Sequence, residues 1–212
     1  MTADIQQDLA DRWRNLMTQW GLPPCVTTFN QLIQAYDQGH RYYHNLTHLA
    51  ASLRQLDLVA DRIEWADRVA MAIWFHDAIY NVHADDNEQR SADWLGIFLD
   101  QHQVDQSRIR SVQDMILATK DHNPGPGAYQ RSIRVMLDID LAILGSKPRD
   151  FVTYEEGIRR EYSFVPNHTY RAKRSEILRS FLARPQIYKF PYFLKRYEEQ
   201  ARVNLMRAVS AY

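Results

Sequence analysis

The chain is poor in cysteine, in glycine and in net charge. Cys25 is the single cysteine among 212 residues. That excludes an internal disulfide framework and any multi-thiolate zinc site. Lys+Arg and Asp+Glu balance at 26 each, so the formal net charge is zero. Such a balance argues against broad electrostatic binding to a nucleic-acid polymer and against a polybasic membrane anchor. No apolar run approaches the ~20 residues that span a bilayer. Residues 1–9 carry Asp4 and Asp8 and lack a basic-then-apolar signal pattern, so the chain reads as cytoplasmic. Cys25 follows Pro23-Pro24 and reads as a small, half-buried residue with no neighbour that would activate a thiolate.

Only seven glycines are present, and they fall where the pattern breaks. Between the breaks, apolar residues recur at helical spacing. Ile5, Leu9, Trp13, Leu16 and Trp20 make one stripe; Val26, Phe29, Leu32, Ile33 and Tyr36 make the next; Leu46, Leu49, Leu53 and Leu56 a third. Trp65, Val69, Ile73, Trp74 and Tyr80 lie in a segment that is apolar nearly all round, as the buried centre of a bundle is. Asp85-Asp86-Asn87-Glu88 opens a helix through Ala92, Leu95 and Phe98, and Ile109 to Thr119 form another. Asn123-Pro124-Gly125-Pro126-Gly127 is the strongest loop signal. Ile133 to Leu144 then run to Gly145, which reads as a C-cap. Further stripes pass through Phe151 to Tyr162, Ile177 to Leu182 and Val203 to Val209. No period-2 alternation, linker or repeat is apparent. The expectation is one all-α domain over 1–212, a bundle of roughly nine or ten helices, with 146–212 completing or covering the rest.

Three places carry polar chemistry. In Arg41-Tyr42-Tyr43-His44-Asn45-Leu46-Thr47-His48, two histidines stand four apart. Either they share a helix face and converge on a metal, or Asn45 caps the helix and leaves His44 outside it. In Trp74-Phe75-His76-Asp77-Ala78, an imidazole and a carboxylate lie inside the most apolar segment of the chain. Burying them is costly unless they are paired or bind a metal. On a continuous helix they would point about 100° apart. In Asp138-Ile139-Asp140, carboxylates interrupt an apolar helix and cannot share a face. Together these residues make a nitrogen/oxygen ligand set for a divalent metal, drawn from separate helices.

In order and type, His48, His76-Asp77 and an Asp of the 138–140 stretch resemble the H…HD…D signature of HD-domain metal-dependent phosphohydrolases. The likeness covers roughly residues 40–145 and implies an all-α fold holding one divalent metal, whether Mn, Ni, Co, Fe, Mg or Zn. Tyr43-His44-Asn45-x-x-His48 also resembles a stretch of cyclic-nucleotide phosphodiesterases. The resemblance implies metal ligation by His48, His76, Asp77 and Asp140, with Asp138 as the alternative last ligand. It makes His44 the proton donor to the leaving oxygen.

A mechanism follows as an expectation. Water activated by the metal attacks a small phosphoester, with a nucleotide as first candidate. Asp77 serves the catalytic centre as well as the metal. Lys120, and with it Arg41, adds positive charge at the phosphoryl oxygens. His122 is the one further histidine placed to contribute, because His83 and His102 sit in polar surroundings. Two other readings stay open: a metal-stabilised nucleotide-binding regulatory module, and a di-iron oxygenase of the same superfamily.

Overall fold

The computed structural model describes residues 2–125 and 130–212. The Pro126-Gly127 part of the expected loop therefore lies outside the described residues. Among those described, the chain is all-helical, with ten α-helices and two 3-10 turns. The helices are α1 (Thr2–Trp20), α2 (Val26–Tyr36), α3 (Leu46–Asp57), α4 (Ala66–Phe75), α5 (Asn87–Gln101), α6 (Gln106–Leu117), α7 (Gln130–Asp140), α8 (Pro148–Glu161), α9 (Asn167–Leu182) and α10 (Pro191–Ala211). The chain divides into two compact units, Met1–Leu137 and Asp138–Tyr212. The division falls inside α7, so no linker or change of composition marks it in the sequence.

In the first unit, α4 is the hub and packs against α1, α3, α5 and α6. Its sequence explains why. Val69 and the run from Met71 to Phe75 are fully buried, leaving no solvent face over the last turns. The stripe of α1 meets it through Trp13, whose ring stands edge-on to Trp74 at 5.1 Å. Phe29 of α2 approaches the same Trp74 at 6.1 Å. From the α5 side, Phe98 stacks on Phe75 at 5.7 Å. Such aromatic contacts add to burial at the centre of the unit. Cys25 is half-buried as expected, but its backbone is left-handed at φ 45°, and its Sγ lies 3.3 Å from His102 Nε2. His102, expected to be solvated, is half-buried against Phe98 as well.

In the second unit, the end of α7 passes through a 3-10 turn at Leu141–Gly145 into α8. Gly145 is not the left-handed cap that the sequence suggests. A Cβ there would come within 2.5 Å of Tyr197 Cβ and 2.6 Å of the Tyr197 carbonyl oxygen, so glycine lets α10 approach closely. Asn204 of α10 donates to the carbonyls of Leu144 and Ser146, both at 2.9 Å. The segment before α10 is held by two carboxylates. Glu198 accepts from the amides of Ile187 and Tyr188, and Asp138 from those of Lys189 and Phe190.

Candidate metal centre

Asn45 caps α3. Its side-chain oxygen accepts from the amides of Thr47 at 2.9 Å and His48 at 3.4 Å. His48 is therefore in the first turn of the helix and buried, whereas His44 stands outside it. The two histidines do not share a helix face. They meet because the turn before the cap folds back, bringing their ring centres to 5.9 Å.

The segment around His76 also departs from the expectation of a continuous helix. The α4 helix stops at Phe75, His76 is its C-cap, and Asp77 already lies in the following turn. This break lets adjacent residues converge. His76 Nε2 is 3.0 Å from Asp77 Oδ2 and 3.2 Å from His48 Nε2, and His48 Nε2 is 3.5 Å from Asp77 Oδ2. Ligands about 2.1 Å from one cation stand about 3.0 Å apart at a right angle and about 3.4 Å apart at the tetrahedral angle. The triangle has those dimensions.

Two details bear on what fills it. His76 Nδ1 is 2.8 Å from the Ile73 carbonyl oxygen. A carbonyl only accepts, so the proton sits on Nδ1 and the neutral ring presents a lone pair at Nε2. Fixing a ligand's tautomer through its other nitrogen is the usual support for a metal-bound histidine. In addition, Asp77 Oδ2 is buried and makes no hydrogen bond to any described residue. A proton would satisfy one pair of these atoms, whereas one cation would satisfy all three. Burial pushes the Asp77 carboxyl up; when His76, and then His44, is protonated, that charge together with the nearness of His48 outweighs burial and holds the carboxyl well below the usual carboxylate range. The His48–His76–Asp77 group is thus a buried set able to hold a metal ion.

The turn is held from several sides. The Tyr36 hydroxyl of α2 accepts from the Asp77 amide at 3.3 Å. Burial pushes that hydroxyl up to about 12, so it stays protonated. Arg41 Nη1 donates to the Asp77 carbonyl at 2.5 Å, and Nη2 to that of Ala78 at 3.1 Å. From α5, Ser91 Oγ accepts from the Ile79 amide at 3.0 Å. None of these supports was legible in the residue pattern, because each acts on backbone atoms.

The remaining expected residues fall as follows. His44 is half-buried, 4.4 Å from the Tyr80 ring and 5.0 Å from that of Tyr43. Arg41, expected at substrate, is buried and directed at backbone carbonyls. Lys120 is exposed after α6 and donates to the Asp85 carbonyl at 2.5 Å. His122 is half-buried in the next turn, with a left-handed backbone at φ 52°. Asp140 closes α7 in the second unit, half-exposed, where its charge acts on the Tyr154 hydroxyl. Asp138 is buried, and both of its oxygens accept backbone amides.

Comparison of the chain with protein-family models, with curated proteins and with solved structures gives no match. Among the described residues, no helix is long and apolar enough to cross a membrane.

Proposed function

We propose that this chain is a metal-dependent phosphohydrolase of the HD-domain type, acting on a small phosphoester, with nucleotides as the first class to test. The observation that carries the reading is the triangle of His48 Nε2, His76 Nε2 and Asp77 Oδ2, with sides of 3.0 to 3.5 Å. Beside it stands a half-buried imidazole, His44.

A divalent cation in such a set supplies two things: it lowers the pKa of a water, and it offsets charge on a phosphoryl oxygen. The residues do the rest. His48, His76 and Asp77 would hold the cation. The His44 ring, seated between Tyr43 and Tyr80, protonates the leaving oxygen. Lys120 and His122 contribute donors to the phosphoryl group.

The test is a turnover screen of the full chain with Mn²⁺, Co²⁺, Ni²⁺ and Mg²⁺. Substrates are nucleoside mono-, di- and triphosphates and generic phosphoesters, with metal content measured in parallel. Phosphate release that disappears in Asp77→Asn supports the reading. Tight nucleotide binding with no product under any metal overturns it in favour of a binding module.

A further inference from the structure

We propose that Arg41, together with Tyr36, is the positioning group of the metal centre rather than a substrate contact. The inference rests on the metal reading above and adds a role that the reading does not need. Its ground is where the guanidinium points. Arg41 is 5 % exposed. Nε donates to Gln38 Oε1 at 3.2 Å, and Nη1 to the carbonyls of His44 at 3.3 Å and Asp77 at 2.5 Å. Nη2 donates to Ala78 O at 3.1 Å. The guanidinium carbon lies 5.3 Å from the ring centres of both Tyr36 and Tyr80.

One planar cation therefore joins its own stretch of chain, from the end of α2 to the His44 loop, to a turn 36 residues further on. It grips the loop bearing His44, the turn bearing Asp77, and the end of α2 through Tyr36. The Asp77 peptide is held at both ends, its amide by the Tyr36 hydroxyl and its carbonyl by Arg41. Past the last residue of a helix, backbone carbonyls have no helical partners. Other bonds hold the turn on either side, Ala78 N–H on the Phe75 carbonyl and Ser91 on Ile79, but the two side chains are the ones that grip the Asp77 peptide groups, whose rotation aims Oδ2 at the two imidazoles. The fork geometry of arginine is essential here. A lysine ammonium is a point donor on a flexible stem and cannot span carbonyls of two segments while stacking between two rings.

The experiment titrates Mn²⁺ into the full chain and records the Co²⁺ visible spectrum, for wild type, Arg41→Lys and Tyr36→Phe. Tyr36→Phe keeps the ring and removes only the hydroxyl that takes the Asp77 amide. Arg68→Lys is the control. Arg68 is a second arginine of the same unit, stacked on Trp65 at 4.7 Å and bonded to Ser111, and it makes no described contact with the turn. Supporting groups of this kind govern metal affinity by about 10–100-fold. Arg41→Lys and Tyr36→Phe are expected to weaken Mn²⁺ by that factor and to alter the Co²⁺ bands, while Arg68→Lys leaves both unchanged. If Arg41→Lys does not fold, Tyr36→Phe decides alone. The proposal is overturned if both variants hold Mn²⁺ like wild type. It is overturned too if Arg41→Lys keeps Mn²⁺ affinity but loses affinity for inorganic phosphate, the signature of a substrate contact. A wild type that binds neither metal defeats the metal reading itself, and the clamp falls with it.

Discussion

His76 and Asp77 are neighbours in the chain, yet His76 Nε2 and Asp77 Oδ2 lie only 3.0 Å apart. Side chains at consecutive helical positions diverge by about 100°, so this convergence requires the helix to stop between them and the helical core. It does, at Phe75. The convergence of the pair is thus a property of a helix end and of the groups that hold the following turn.

Loading the site is expected to stabilise the protein. At a Mn²⁺ concentration about 100 times Kd, linkage gives about 2.7 kcal/mol. For a chain of this size that corresponds to a rise in Tm of about 5–10 °C. The check is differential scanning calorimetry with Mn²⁺ and after chelation, in which wild type shifts and Asp77→Asn does not.

His44 is expected to serve the leaving group and not the metal. His44→Asn should lower kcat by about 10²–10⁴-fold on an alkyl phosphoester. On a p-nitrophenyl ester, whose leaving group needs no proton, the loss should be much smaller. Mn²⁺ affinity measured on the same variant should stay at the wild-type value.

Asn45 has a structural task within the motif. Its oxygen satisfies the amides of Thr47 and His48 at the start of α3. Asn45→Ala is expected to cost about 1 kcal/mol in urea unfolding, and Asn45→Asp to restore it.

Gly145 and Gly39 should answer oppositely to alanine. A Cβ at 145 meets Tyr197 backbone and side chain within 3 Å, whereas at 39 it meets nothing within 4 Å. Gly145→Ala is expected to destabilise by about 1–3 kcal/mol, the usual cost of overpacking, with Gly39→Ala near neutral in the same unfolding assay.

Asp138 sets a pH dependence. Burial pushes its carboxyl up to about 7, against the amides of Phe190 and Lys189 that pull it down. The folded state therefore holds this proton more tightly than the unfolded chain does. The associated stability is fully present below about pH 4 and is lost as pH rises through 7, at no more than about 1.4 kcal/mol per pH unit. In chelator, Tm of wild type is expected to fall between pH 5 and 7.5 relative to Asp138→Asn, which cannot ionise there.

Much of this was legible in the residues, and the reasons for the rest are specific. The stripes of Ile5 to Trp20 and Val26 to Tyr36 match α1 and α2 in extent, because burial on one face demands helical spacing. His48, His76 and Asp77 stood out as polar groups in apolar settings, and the structure brings them together. The stop at Phe75 left no mark, since no glycine or proline punctuates it; backbone contacts from Tyr36 and Arg41 finish the helix instead. Arg41 looked like a cation for substrate because a sequence shows charge and not the carbonyls that charge will meet. The division into two units was equally silent, because a continuous helix crosses it.

His48, His76 and Asp77 are proposed to hold one divalent cation. The most direct measurement is Mn²⁺ titration of the metal-free chain followed by electron paramagnetic resonance of the unbound ion. Wild type is expected to show one saturable site per chain, lost in Asp77→Asn and in His76→Gln with both variants folded by circular dichroism. Equal binding by wild type and both variants, or no saturable site in wild type, would contradict it.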